Sequence, residues 1–301
     1  MRQIKTDINT HAHKTLSALK SQSAMEYLMT YGWAILIIAV VLAVLFQLGV
    51  FSGSALTPKA PPGACQVERF AGQVSLVGEC QGQLPQYTMY LSGTGWVTAG
   101  SLNMPNAYNT PYSITMWINI GTYPSGSGYE LFYLGDLDDF QVIGGGPAGQ
   151  LLAHRCSGAD QYSGAAVTVP LDTWTFVGES VSNANYIFQA NAKQATLTNA
   201  YPYPPSLTQP TVTIGGSGHC FPINFIGGMA DVQVYNTSLS GSEMNSIYLE
   251  GIGGAPIKIQ NLIGWYPLNG NLNDYSGYNN NGQAVGGVAF NGSWNSQYTP
   301  P

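Results

Sequence analysis

Between Tyr27 and Pro58 the chain carries no Asp, Glu, Lys, Arg or His. A run of this length and character has few places to go. A helix from Met25 to Phe51 is roughly 40 Å long at about 1.5 Å per residue, and a bilayer's hydrocarbon core is about 30 Å thick. Gln47 is the only clearly polar side chain between Trp33 and Phe51. Arg2, Lys5, Lys14 and Lys20 precede the run, with Asp7 the one opposing charge among them. Basic flanks stay in the cytoplasm, so the pattern predicts an inner N-terminus and an outer chain beyond Phe51. Ser23 to Glu26 reads as a capping box that starts the helix. An ordinary secretory signal has an apolar core of about 7–15 residues ending at a small-residue cleavage site. This run is longer, and "SGSALTPKAPPG" after it offers only a weak site, so the segment is expected to be retained.

Beyond the run the chain changes character. Disorder requires low hydrophobicity with high net charge, which 45% hydrophobic and 8% charged residues exclude. A net charge of −6 leaves no basic face for phosphates and excludes nucleic acid as a partner. Residues 52–86 begin as a Ser/Pro/Gly linker with a stiff Pro61-Pro62-Gly63. Cys65 and Cys80 then bracket a hairpin-sized loop with Gly72 near its turn, which reads as a small disulfide-bracketed module. Four cysteines beyond a membrane segment, adding Cys156 and Cys220, fit two structural disulfides. From Tyr87 the pattern is strands separated by Gly, Asn and Pro. "YSITMWINI" (112–120) puts Ile114, Met116, Ile118 and Ile120 on one face. Stretches 174–181, 185–191 and 210–216 are further strands, and 238–251 is a helix capped by Ser240 and Glu243 and stopped by Gly251.

The segment "KSQSAMEYLMTYGWAILII" resembles the class III signal peptide of archaeal type IV pilins and related surface proteins. The resemblance implies that a prepilin peptidase cuts on the cytoplasmic side between Ser21 and Gln22, leaving the apolar helix on the mature chain. Glu26 then falls at mature position five, where the family places an acid that pairs with the new amino group of a neighbouring subunit in a homo-oligomeric filament. Ser21 departs from the family's usual Gly. On this reading residues 1–21 are a leader, 22–51 the hydrophobic helix, 52–86 the linker and disulfide module, and 87–301 one large domain.

"YSITMWINI", "DTWTFVGESV", "TVTIGG" and "FIGGMADVQVYNTSLSGSEMNSIYLEG" resemble strands of a laminin-G-like, concanavalin-type jelly roll. The last carries a Gly-x-hydrophobic-Asp strand, Tyr-Asn and a closing Leu-Ser helix. The resemblance implies a mainly β fold, an extracellular antiparallel sandwich that binds carbohydrate or a glycosylated cell surface, with Cys156 and Cys220 tying two of its strands or loops. "LIGWYPLNGNLNDYSGYNNNGQAVGGVAFNG" (262–292) resembles the segment that opens such modules, yet here it closes the chain. Either the domain is circularly permuted or the tail donates a strand to a neighbour. "YLSG" (90–93) and "FNG" (290–292) look like versions of one strand.

Asp274, Ser276, Asn279 and Asn280 gather oxygens within a short loop, and calcium takes about six to eight of them. Such loops in the family often hold calcium, and an Asx-rich turn needs no metal. "GDLDDF" (135–140) concentrates acid but lacks the paired glutamates of concanavalin-type glucanases, so it reads as a solvated loop. Asn236 and Asn291 head glycosylation sequons. No Gly-x-Ser-x-Gly elbow, P-loop or dinucleotide motif occurs, so no catalytic residue is expected. The sequence thus reads as a non-enzymatic pilin-like surface protein, structural or adhesive, at the cell membrane or in an extracellular filament. The alternatives are a membrane-anchored lectin that never polymerises and, less favoured, a glycoside hydrolase.

Overall fold

The computed structural model of the chain describes residues 29–45, 58–102, 111–126, 128–135, 139–154, 161–164, 166–182, 185–198, 211–216 and 223–301. Two compact units comprise it, Met1–Leu56 and Thr57–Pro301. In the first, residues 29–45 form a helix, α1, whose Trp33, Ile35 and Ile38 are exposed. Among the described residues no helix is long and apolar enough to cross a membrane. The span expected from Met25 to Phe51 extends past the described residues at both ends.

The second unit is built from short strands. In chain order they are β1 (Lys59–Ala60), β2 (Cys65–Phe70), β3 (Gln73–Gly78), β4 (Leu84–Pro85), β5 (Thr88–Ser92), β6 (Trp96–Ser101) and β7 (Tyr112–Asn119). Then come β8 (Tyr129–Leu134), β9 (Asp139–Ile143), β10 (Gln150–His154), β11 (Gln161–Tyr162), β12 (Thr175–Ser182), β13 (Asn185–Ala190) and β14 (Lys193–Leu197). The last are β15 (Thr211–Ile214), β16 (Ile223–Asn224), β17 (Ile226–Tyr235), β18 (Leu262–Tyr266), β19 (Gln283–Val285) and β20 (Val288–Asn291), with helix α2 (Gly241–Glu250) after β17. The front sheet runs β11-β10-β9-β8-β15-β6-β19 with β16 beside β8, and the back sheet runs β14-β13-β12-β7-β17-β5-β20 with β18 beside β17. Apart from the short β16–β8 pair, both are antiparallel, which makes the unit the mainly β sandwich that the strand pattern predicts.

Ile114, Met116, Ile118 and Ile120 point between the sheets, as their alternation requires, and meet Phe132, Phe140 and Val212 from the front. The other face of β7 is buried too. Trp117 there joins Phe176, Trp265, Met244 and Ile247 in a second core, covered by α2 and by the β2–β3 hairpin through Val67. Around Trp117 the outer face of the back sheet is therefore sealed by packing and not solvated. Helix α2 has the expected capping box, with the Ser240 hydroxyl accepting from the Glu243 amide and the Glu243 carboxylate accepting from the Ser240 amide. Cys65 and Cys80 are bonded. Arg69, on the same hairpin, donates through Nε to the Ser276 carbonyl at 2.9 Å and through Nη2 to those of Ile259 and Leu262 at 2.8 and 2.7 Å.

The tail resolves the choice left open by its position in the chain. β18 pairs with β17, β19 with β6, and β20 with β5, so residues 262–292 complete both sheets of their own chain. The two similar stretches turn out to be partners: Tyr90 lies opposite Ala289.

The Gly-x-hydrophobic-Asp strand is where the pairing changes hands. Register slips between Ala230 and Gln233, and Asp231 takes a left-handed φ of 51°. Its buried carboxylate accepts from Trp265 Nε1 at 2.8 Å and Gln233 Nε2 at 2.9 Å, while Tyr235 donates to Gln233 Oε1 at 2.7 Å. Burial raises the Asp231 carboxyl to about 6, only partly offset by those two donors. Between the ordinary value of 3.8 and about 6 the native protein therefore keeps a proton that the unfolded chain has released. Stability from this group is full below about pH 4 and is lost as pH rises through about 6, a change of about 3 kcal/mol. Denaturant titrations of wild type and Asp231→Asn at several pH values should show their stability difference shifting by that order across this window. A difference that stays flat would show that Asp231 is not held protonated.

Candidate functional site

Strand alternation leaves one sheet face open. Phe140, Val142, Leu151 and Ala153 point into the core, so Asp139, Gln141, Gln150, Leu152 and His154 must stand on the outer face of the front sheet. Cross-strand register then builds a row from Tyr162 through Leu152 and Gln141 to Glu130, and a second from His154 through Asp139 and Tyr133 to Thr213. The first row leads into a groove of about 450 Å³, rimmed by Gly126, Gly128, Gly145 and Gly146. Tyr162 leaves 45% of its surface in solvent, whereas Gln141 and Gln150 are buried. At Gly128 a Cβ would come within 2.4 Å of Gln141 Oε1, so this rim must be glycine for the amide to keep its place.

Two carboxylates lie beneath. Glu130 and Asp139 are 0% and 1% exposed. Thr213 donates to Glu130 Oε1 at 3.4 Å and Gln141 Nε2 to Asp139 Oδ2 at 3.4 Å. No Lys or Arg lines the groove among the described residues. An exposed phenol ring, side-chain amides and an imidazole are suited to a hydroxyl-rich ligand. Composition could not have found this site, because Gln141, Gln150 and Tyr162 meet only through strand register. The acidic stretch 135–140 needs one correction. Asp139 sits buried in β9 opposite His154, not in a solvated loop, while Asp136 and Asp138 lie outside the described residues.

The Asp274 loop is brought together as its spacing suggests, but around amides. Asp274 Oδ1 accepts from the Trp265 and Ser276 amides at 3.0 and 2.8 Å, and Oδ2 accepts from the Asn280 amide at 3.0 Å. The Ser276 carbonyl is taken by Arg69 and the Asn280 carbonyl by the Tyr266 hydroxyl at 2.8 Å. Asn279 is exposed and turns the chain with a φ of 59°. Within this loop the Ser276 hydroxyl is buried without a partner among the described residues. Calcium needs about six to eight oxygens, so these residues do not fit it as arranged. Asp274→Ala should cost about 2–4 kcal/mol, from three amides losing a buried charged acceptor. Thermal melts with calcium and with chelator should coincide, and a calcium-dependent rise abolished in Asp274→Ala would reverse this assignment.

The other expected residues are scattered. Ser21, Gln22, Glu26, Cys156 and Cys220 lie outside the described residues. Asn236 is half-buried and accepts from Asn261 Nδ2 at 3.0 Å, and Asn291 is exposed and accepts from the Ser293 amide at 2.9 Å.

Known proteins place this geometry in context. A profile of the concanavalin A-like lectin/glucanases superfamily matches residues 91–245. A candidate carbohydrate-binding protein of Bacteroides ovatus superposes with a TM-score of 0.54 at 13% identity, covering 74% of this chain. The chain spans 64% of that protein's length. An SAP-like pentraxin of Limulus polyphemus gives 0.46 at 14% identity over 68% of this chain and 94% of its own. A sialidase module of Ruminococcus gnavus, CBM40 bound to α2,3-sialyllactose, gives 0.41 at 16% identity over 53% and 95%. No curated protein matches the chain.

Proposed function

The chain belongs to the concanavalin A-like lectin/glucanases superfamily, and from that premise we propose that it is a lectin-like surface protein whose front-sheet groove binds a glycan. One observation carries the reading. The strand register sets the exposed Tyr162 ring beside the Gln141 and Gln150 amides in an open groove. A sugar ring has apolar C–H faces that stack on such a ring and hydroxyls that satisfy such amides. The jelly-roll likeness to a candidate carbohydrate-binding protein supports the same reading. Glu130 and Asp139 lie buried under the groove and accept from Thr213 and Gln141, so they serve here to hold the floor in place, and binding without turnover is proposed. In the full-length protein on a glycan array, Tyr162→Ala and Gln150→Ala should each weaken binding about tenfold, or 1.4 kcal/mol. Wild-type affinity in both would remove the groove from the site. Release of reducing ends, lost in Glu130→Gln, would make the protein a hydrolase.

The amino-terminal part of the proposal rests on sequence pattern. We hold that the apolar helix anchors the domain at the outer membrane face after the leader is cut between Ser21 and Gln22. Assembly into a filament through Glu26 is the finer alternative. Mass spectrometry of the membrane-derived protein should find a mature chain starting at Gln22. Peptides starting at Met1 in the surface pool would rule out leader processing, and filaments that disappear in Glu26→Ala would favour assembly.

A further inference from the structure

The back sheet has one region that the second core leaves open. There β20, β5, β17 and β7 carry a cross-strand row of Ala289, Tyr90, Gly228 and Asn119. Met89 and Ile118 point into the inter-sheet core, so Tyr90 and Asn119 face outward. Beside this row lies a cleft of about 510 Å³, walled on one side by the turn Trp294–Gln297. Tyr90 is 44% exposed. Its neighbours in the row are Ala289 and Gly228, so one flank of the ring stays clear. A Cβ at Gly228 would fall within 2.8 Å of Trp174 Cη2, so glycine there lets the indole pack over the row and form a wall of the cleft.

The walls are rigid. Trp174 Nε1 donates to the Trp294 carbonyl at 3.1 Å, the Trp174 amide to the Gln297 carbonyl at 3.2 Å, and the two indole rings meet edge to face at 5.7 Å. The polar groups are set as a pair. Asn119 Nδ2 donates to Gln297 Oε1 at 2.8 Å, which leaves Asn119 Oδ1 as an acceptor and Gln297 Nε2 as a donor, both without a partner among the described residues. Asn119 is only 8% exposed and lines the cleft, so its amide is held in a fixed place on the wall. No Lys or Arg lines the cleft among the described residues, and Asp172 lies on its rim, so phosphate, sulfate and sialate are poor ligands.

We propose that this cleft is a second glycan-binding site, for an uncharged sugar stacked on Tyr90 and held by the Asn119–Gln297 amide pair. It shares the ligand chemistry of the front groove but none of its residues. The sites lie on opposite sheets and face opposite ways, so a single domain would join two separate glycan chains and gain avidity from a surface that displays both.

Tryptophan separates the two sites. Trp174 and Trp294 line the cleft, and no tryptophan lines the front groove. The full-length protein is titrated with neutral hexasaccharides of glucose, mannose and arabinose, reading tryptophan fluorescence together with calorimetric stoichiometry. Wild type should bind two equivalents of at least one sugar. In Tyr162→Ala the tryptophan response should persist with one equivalent bound. Tyr90→Ala and Gln297→Ala, both on exposed side chains, should each weaken that response at least tenfold while Tyr162-dependent binding stays. A tryptophan response absent with every sugar, or unchanged in both cleft variants, overturns the second site. Loss of Tyr162-dependent binding alone overturns only the first.

Discussion

The left-handed backbone at Asp231 is the hinge on which the sandwich turns. Before it, β17 pairs along one edge with β5, and after it the same edge pairs with β18. The slip of register makes room for that change of partner, and the carboxylate fixes it by holding the indole of Trp265 from the incoming strand. Positive φ costs a non-glycine residue of order 1 kcal/mol, and the chain accepts it because three side chains and a strand are ordered in return. Without this anchor the tail has no defined place. With it, β19 and β20 are delivered to the edges of opposite sheets.

Arg69 closes the arrangement from the other side. Its guanidinium takes two carbonyls of the returning tail and that of Ile259 just before it, and lies 4.2 Å from the centre of the Tyr278 ring. A cation that supplies hydrogen bonds to the loop's own carbonyls leaves little need for a metal there. The Asp274 carboxylate is satisfied in the same spirit, by amides. The hairpin, the tail and α2 together seal the outer face of the back sheet around Trp117, and grooves open on the front sheet and beside Tyr90. Both open surfaces present tyrosine and amides without positive charge, as expected for a chain whose few charged side chains are spent elsewhere.

Much of this was legible in the sequence because it depends on near neighbours. Alternation within 112–120 predicted which side chains enter the core, and the Ser240–Glu243 spacing predicted a helix start, since both follow from one strand or one turn. The cysteines bracketing a short loop predicted the Cys65–Cys80 bridge for the same reason. The Asp274 loop was legible as a cluster but not in its chemistry, because Arg69, which takes the Ser276 carbonyl, comes from a hairpin far away in the chain. Asp139 was misread because acidity in sequence does not reveal that a strand will carry the residue under a sheet face.

The sequence by itself determined the fold class, the uncharged apolar run and the helix cap, all properties of composition and short-range period. Only tertiary structure decided that residues 262–292 complete their own sheets, that the loop at Asp274 is filled with amides, and that Tyr162, Gln141 and Glu130 share one row. The first and last are matters of register between strands far apart in the chain, and the second depends on how the loop closes on its own amides. A shift of one residue would turn each of those side chains to the opposite face, and no local pattern fixes which partner a strand will take.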